Sequence, residues 1–209
     1  ISYADEHAEI RGTSYLRTQV AIDPGGDSFA LEFMVRPVQE TPDSSYHFIS
    51  AVRGNSPNFD RFYIFERNDD FGATFGGTNG TLFSGTVVNN RYYVTMNFTY
   101  ADGAGADDAT FTIDAWVGDV AARTLTQVWD DQVFNMVDGL GSWTDYVSYG
   151  RNDANYTSNW DGDLDAVAWY NAHLSESVIQ SHFQLVPEPA SAVLLLLGAA
   201  ALLNRRRRA

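Results

Sequence analysis

Period-2 alternation is clearest in the stretch Phe29-Ala30-Leu31-Glu32-Phe33-Met34-Val35-Arg36. Its odd-numbered residues are all large and apolar, whereas its even-numbered residues include a glutamate and an arginine. Because successive side chains of an extended chain point to opposite sides, this stretch has one apolar face and one mixed face. The pattern predicts a half-buried β-strand.

The same alternation recurs at residues 92–100 and 111–117, and shorter strand candidates fill much of the remaining chain. Clusters rich in glycine, asparagine and aspartate, such as residues 76–80 and 102–105, separate these segments and favour turns. Many short strands joined by glycine-rich turns predict an all-β fold, an antiparallel β-sandwich or jelly roll. The shorter candidates are residues 46–53, 61–66, 71–75, 81–87, 125–129, 146–151 and 164–170.

One short internal helix is expected near residues 175–183. Ser175 is a typical N-cap residue, and Glu176 places a negative charge in the first turn. We expect this helix to pack against the edge of the sandwich. The apolar stripe that would face the sheets consists of Val178, Ile179 and Phe183.

The C-terminal tail differs in composition from the rest of the chain. An apolar run at 190–203 is followed by Asn204 and a cluster of positive charges. Such a segment enters a bilayer with its positive end on the cytoplasmic side. At ~1.5 Å per residue it is short for a ~30 Å hydrocarbon core, which indicates a transient hydrophobic transmembrane helix after a folded body at 1–185. The positive charges are Arg205, Arg206, Arg207 and Arg208.

The tripeptide Pro187-Glu188-Pro189 stands directly before that apolar run. Together, the tripeptide, the apolar run and the arginines resemble the PEP-CTERM sorting signal of Gram-negative bacteria, here over residues 186–209. The resemblance implies export through the inner membrane, recognition by an exosortase, and cleavage near the tripeptide. It places the precursor in the membrane and the mature form at the cell envelope, the cell surface or in extracellular matrix.

Two further segments resemble LamG-like, concanavalin A-like jelly rolls. Residues 159–175 resemble the closing strand of that family, with Gly162-Asp163-Leu164-Asp165-Ala166-Val167 ending in aromatic residues before a Leu-Ser helix start. Residues 27–37 resemble the second strand, with Met34 where the family commonly has tryptophan. Together they bracket most of the body, so the resemblance implies a concanavalin A-like domain over residues 1–185.

Three aspartates at alternating positions, Asp161, Asp163 and Asp165, are a candidate metal site. Alternate positions place the carboxylates on one face of a strand, where three like charges need either solvent or a cation. An EF-hand is excluded, because the sixth loop position lacks glycine and the twelfth lacks glutamate. The jelly-roll resemblance implies that Asp165 helps to bind a structural Ca²⁺ ion. The alternative is a set of solvated carboxylates at the entrance of a strand.

Composition excludes several kinds of function. The chain contains no cysteine, so it has neither disulfides nor thiolate ligands. Its formal charge is −14, and because the four tail arginines and Glu188 contribute a net +3, the body carries −17. Such a body repels nucleic acid and anionic membranes. We therefore expect no nucleic-acid partner.

No catalytic constellation is present in the sequence. Some concanavalin A-like proteins hydrolyse glycans, but the Glu-x-Asp-x-x-Glu pattern of such enzymes is absent. The four histidines, at positions 7, 47, 173 and 182, form no close metal-ligand pair, and neither a nucleophile elbow nor a Walker loop occurs. We therefore expect a protein that is not an enzyme and name no catalytic residue.

Three aromatic residues lie in polar, loop-like sequence, and they are Trp143, Tyr156 and Trp160. Rings beside amides and carboxylates are typical of sugar-binding surfaces, although such rings can also simply anchor loops. The leading interpretation is an exported binding or matrix module that associates with carbohydrate or exopolysaccharide. The alternatives are a polysaccharide-degrading enzyme that uses an aspartate pair and a self-assembling structural surface protein.

Overall fold

The computed structural model describes residues 3–4, 7–10, 16–18, 28–39, 47–53, 61–75, 78–101, 110–135, 146–149 and 160–186. Within these ranges the chain forms thirteen β-strands and one α-helix. The strands form two sheets in which all pairings are antiparallel. The predicted fold class, an all-β antiparallel sandwich with one short helix, is confirmed.

In chain order the strands are β1 (Tyr3–Ala4), β2 (His7–Ile10), β3 (Leu16–Thr18), β4 (Ser28–Pro37), β5 (His47–Arg53), β6 (Arg61–Arg67), β7 (Asp70–Phe75), β8 (Thr78–Ser84), β9 (Tyr92–Ala101), β10 (Thr110–Asp119), β11 (Thr124–Asn135), β12 (Tyr146–Tyr149) and β13 (Gly162–Tyr170). The helix α1 (Glu176–Leu185) follows. One sheet has seven strands in the order β1-β2-β13-β4-β9-β10-β11. The other has six strands in the order β3-β12-β5-β6-β7-β8.

The three segments with the clearest alternation, β4, β9 and β10, are neighbours in the seven-stranded sheet. Their inward faces supply much of the core, as period-2 alternation predicts. The two segments that resemble a jelly roll, β4 and β13, pair directly with each other. The short strands β1, β2 and β3 were not predicted, because they span only two to four residues each.

Aromatic rings from both sheets fill the space between them. The Phe29 and Phe98 rings stack with their centroids 4.5 Å apart, and the Phe75 ring of the opposite sheet lies 5.9 Å from Phe98 and 4.6 Å from Phe134. Aromatic pairs at these distances add about 0.5–1.5 kcal/mol beyond the burial of their area. Without disulfides, this packing supplies most of the stability of the sandwich.

Helix α1 lies on the outer face of the seven-stranded sheet. Ile179 and Phe183 of the helix pack with Tyr93 and Trp116 of the sheet in a second, smaller core. Gly118 makes this approach possible, because a Cβ atom there would lie 2.5 Å from the Phe183 ring. The helix is thereby held against the sheet through Ile179 and Phe183.

The turn before α1 is fixed to the same sheet. The Asn97 side chain donates to the Leu174 carbonyl and accepts from the Leu174 N–H, both at 2.9 Å. Ser175 occupies the N-cap position as predicted, although its hydroxyl makes no capping hydrogen bond. These contacts hold Leu174, the residue before the N-cap, against β9.

The sorting-tail residues Pro187, Glu188, Pro189 and Arg205 to Arg208 lie outside the residues that the structure describes, as does the expected C-terminal apolar helix. In the described part of the chain, no helix combines the length and the apolar character needed to cross a membrane.

Candidate functional site

A groove of about 290 Å³ lies where α1 crosses the outer face of the seven-stranded sheet, beside the β10–β11 hairpin. This volume is close to the lower end of the ~300–1,000 Å³ range of small-molecule sites. The groove is open to solvent along one side of the helix. Its lining residues are Trp116, Arg123, Leu125, Gln127, Glu176, Gln180, Phe183 and Gln184.

Apolar side chains lie at the floor of the groove. Trp116 points outward because its neighbours on β10, Ala115 and Val117, point into the main core. Its side chain is held in the small core beneath the helix and retains 7% exposure, so only a narrow part of the indole reaches the groove. Phe183 and Leu125 complete the apolar surface.

Arg123 closes one end of the groove. It adopts a left-handed backbone conformation, with φ of +56°, in the turn between β10 and β11. Its Nη1 donates to the Val186 carbonyl at 3.0 Å and its Nη2 to the Gln184 carbonyl at 3.3 Å. The guanidinium also lies 5.4 Å from the centre of the Phe183 ring, which is a cation–π distance. These contacts fix a positive charge at the C-terminal end of the helix, where it also complements the helix dipole.

Amide and carboxylate groups form the rim. Gln180 Nε2 donates to Glu176 Oε1 at 2.9 Å, one helical turn away, and Gln127 on β11 donates to Asp130 Oδ1 at 3.3 Å. Each amide keeps a carbonyl oxygen as an acceptor and a second N–H as a donor. An apolar floor with amides, one carboxylate and one guanidinium at its edge can bind a compact ligand that carries many hydroxyl groups.

Polar contacts on the other side of α1 hold the helix in place. The Tyr93 hydroxyl donates to Glu32 Oε2 at 2.9 Å, and His182 Nδ1 lies 2.8 Å from the same oxygen. Burial, and then the nearby Glu32 carboxylate, raise the pKa of the Tyr93 hydroxyl well above its ordinary value of about 10. The neutral phenol is therefore the form that the folded protein favours.

Stability should fall in alkaline solution because of Tyr93. Since its pKa is raised in the folded state, the corresponding stability is fully present below about pH 10 and is lost as the pH rises from there. In Tyr93→Phe, the free energy of unfolding should fall less steeply with pH above 10 than in the wild type. Urea titrations at a series of alkaline pH values measure the two slopes, and equal slopes would contradict this role of Tyr93.

The structure places Trp160 in the core and not in a sugar-binding surface. The residue is 0% exposed, and its Nε1 donates to Oε2 of the buried Glu66 at 2.9 Å. The other oxygen of Glu66 accepts from the Thr86 hydroxyl at 2.6 Å. Trp160 therefore offers no ring face to a ligand, which corrects the expectation from its polar sequence neighbours. The other two aromatic candidates, Trp143 and Tyr156, lie outside the described residues.

The three aspartates of the candidate metal site are not brought together. Asp163 is 0% exposed and pairs with Arg36 directly opposite on β4, with Nε 2.6 Å from Oδ2. A bulge between Leu164 and Ala166 displaces Asp165 from the regular alternation, and its Oδ2 lies 3.3 Å from Arg91 Nε. Arginines thus supply counter-charges to Asp163 and Asp165, a third possibility beside the solvent or cation expected from the sequence.

No group of three carboxylate or histidine side chains that could hold a metal occurs among the described residues. The side chains as placed do not form a three-carboxylate calcium site. The bound Ca²⁺ implied by the jelly-roll resemblance stays a prediction, which melting temperatures in calcium and in chelator would test.

The groove was not predicted from the sequence. The polar residues Glu176, Gln180 and Gln184 are spaced by four along α1 and so form one stripe of the helix. That spacing could have indicated a site, since polar side chains in a stripe beside the apolar stripe of a helix can line a binding groove. Nothing local, however, indicated that Arg123 and Gln127 would lie opposite this stripe.

No protein-family model matches the sequence, and no curated protein is similar enough to count as a relative. Solved structures with a similar fold include the CBM40 of the Ruminococcus gnavus IT-sialidase, 14% identical over 86% of this chain and 97% of that chain, with a TM-score of 0.53.

The receptor-binding domains of botulinum neurotoxin type G and of a C/D mosaic serotype are also similar. Their identities are 9% and 10% over 86% and 88% of this chain, and both TM-scores are 0.54. The chain spans only 41% and 43% of those toxin domains. At these low sequence identities, the similarity to the three proteins shows a shared β-sandwich fold and nothing more.

Proposed function

We propose that the protein is a carbohydrate-binding module and that the groove beside α1 is its binding site. The single observation that carries this proposal is the composition of the groove. An indole edge and a phenylalanine form the floor, and three glutamines, a glutamate and an arginine surround it. Apolar floors suit the C–H faces of sugar rings, and amides with both donors and acceptors suit hydroxyl groups.

The similar structures support the same class of ligand. One structure of the Ruminococcus gnavus module is described as bound to α2,3-sialyllactose and has a TM-score of 0.53 to this chain. That protein therefore binds a sugar with a comparable β-sandwich. Because the shared identity is only 14%, the support concerns the type of protein and not the position of the site.

We further propose that this module is exported, that it is LamG-like and that it associates with exopolysaccharide. The Pro187-Glu188-Pro189 tripeptide, the apolar run and the terminal arginines support sorting by an exosortase. A net charge of −17 on the body supports a soluble surface or matrix role. Mass spectrometry of the mature protein should show that everything after the tripeptide is absent, and intact Arg205 to Arg208 on surface protein would contradict processing.

Calorimetric titration with a panel of sugars tests the binding proposal. The panel contains α2,3- and α2,6-sialyllactose, neutral oligosaccharides and exopolysaccharide fragments from the host. For a sugar that binds, Gln180→Ala and Gln127→Ala should each weaken binding by roughly 3–10-fold, because each removes a hydrogen bond worth about 0.5–1.5 kcal/mol. The matched control is Ser181→Ala, an exposed helix position that does not line the groove.

Two results would overturn the proposal. One is that no sugar of the panel binds. The other is that a sugar binds with equal affinity to the wild type and to both glutamine variants.

A further inference from the structure

A second, smaller cavity lies on the other outer face of the sandwich. It has a volume of about 170 Å³ and lies at the end of the β6–β7 hairpin in the six-stranded sheet. It shares no residue with the groove beside α1. Its lining residues are Phe65, Arg67, Asn68, Asp70, Phe71, Gly72, Gly80 and Thr81.

Strand register puts an aromatic wall on this face. Phe65, Gly72 and Thr81 are cross-strand partners in a row. The adjacent residues Ile64 and Ala73 belong to the main core, so the row points away from it. A Cβ atom on Gly72 would lie 2.5 Å from the Phe65 ring. The ring therefore lies close against the glycine, and Phe65, which is 6% exposed, lines the cavity with a small part of its surface.

The hairpin turn supplies the polar rim. Asn68 and Asp69 have φ of +50° and +58°, the left-handed pair that tight two-residue hairpins use. This turn brings Arg67, Asn68 and Asp70 to the edge of the cavity. Asp70 Oδ1 accepts from the Gly85 N–H at 3.0 Å, which fixes the carboxylate. The set of groups is the same as in the groove: an aromatic surface, an amide, a carboxylate and a guanidinium.

We propose that this cavity is a second sugar-binding site and that one chain therefore binds two segments of polysaccharide at once. The proposal rests on the proposed carbohydrate-binding function. Facing sheets pack about 10 Å apart, and the two cavities open on opposite outer faces of the sandwich. A single sugar residue cannot occupy both. A chain with two such sites can cross-link two segments of polysaccharide, whereas a chain with one site can bind only one segment.

Two measurements test the proposal. Calorimetry with a hexasaccharide fraction of host exopolysaccharide, and with α2,3-sialyllactose as a second probe, counts the sites. Light scattering with the intact polysaccharide detects cross-linking. The wild type should bind two oligosaccharides per chain and raise the scattering of the polymer at substoichiometric protein.

Variants of each site should separate the two contributions. Thr81→Ala and Arg67→Gln, both outside the main core, should each weaken one of the two binding events by roughly 3–10-fold and reduce the cross-linking. Gln180→Ala should weaken only the other event. Thr81→Val, which keeps the side-chain volume but removes the hydroxyl, serves as a second variant at the new site.

The outcomes separate the two proposals. One binding event that Gln180→Ala weakens and both Thr81 variants leave unchanged would overturn the second site and leave the groove intact. One event that the Thr81 variants weaken and Gln180→Ala leaves unchanged would overturn bivalence and move the proposed function to this cavity. Absence of any binding would overturn both.

Discussion

Arg36→Ala is expected to lower the free energy of unfolding by about 3–5 kcal/mol. Arg36 contacts Asp163 through both Nε and Nη2, and the Asp163 side chain is 0% exposed. Removing the arginine takes away this partner of a buried carboxylate, so the desolvation of that charge is less fully compensated. The two residues face each other across β4 and β13, so the loss also weakens the pairing of these two strands.

Urea unfolding of the purified protein measures this effect. The control is the double variant Arg36→Ala/Asp163→Asn, which removes the buried charge together with its partner. It should be clearly more stable than Arg36→Ala alone. If both variants are equally destabilised, the loss comes from the packing of the arginine side chain and not from the lost counter-charge of the carboxylate.

Trp160→Ala should be about as damaging, with an expected loss of about 3–5 kcal/mol. Trp160 belongs to the set of large, fully buried side chains in the main core. Truncation leaves a large cavity and also removes the N–H donor to Glu66, itself only 1% exposed. Trp160→Phe keeps most of the apolar volume and removes this donor, so a smaller loss of about 1–3 kcal/mol is expected.

Thermal unfolding distinguishes this core role from a role in binding. If Trp160 acts through Glu66 and the core, Trp160→Phe lowers the melting temperature but leaves sugar affinity unchanged at a temperature where the variant is folded. A loss of affinity in a fully folded Trp160→Phe protein would restore the interpretation that its ring contacts the ligand.

Much of the fold was predictable because half-buried β-strands alternate apolar and polar side chains along the sequence. The sequence pattern over 29–36 became β4 with the expected inward residues. Exceptions have local causes. The bulge beside Asp165 breaks the alternation that predicted three carboxylates on one face. On α1, Ile179 and Phe183 are buried as expected, whereas Val178 is 37% exposed because the helix presents a narrower stripe to the sheet.

The candidate site was less predictable because its parts meet only through tertiary contacts. Arg123 reaches carbonyls more than 60 residues away, at Gln184 and Val186. Trp160 finds its partner Glu66 at a separation of 94 residues. Polar neighbours in sequence indicated a surface position for Trp160, but a single buried carboxylate was enough to satisfy its N–H in the core.

Hydrogen–deuterium exchange of the full chain with and without a bound sugar tests the groove most directly. Binding there should slow exchange in residues 116–127 and 176–184, the two segments that line it, and should leave β12, an interior strand of the other sheet, unaffected. Protection confined to residues 136–145 and 150–159, around Trp143 and Tyr156, or no change in residues 116–127 and 176–184 at saturating sugar, would contradict the groove as the binding site.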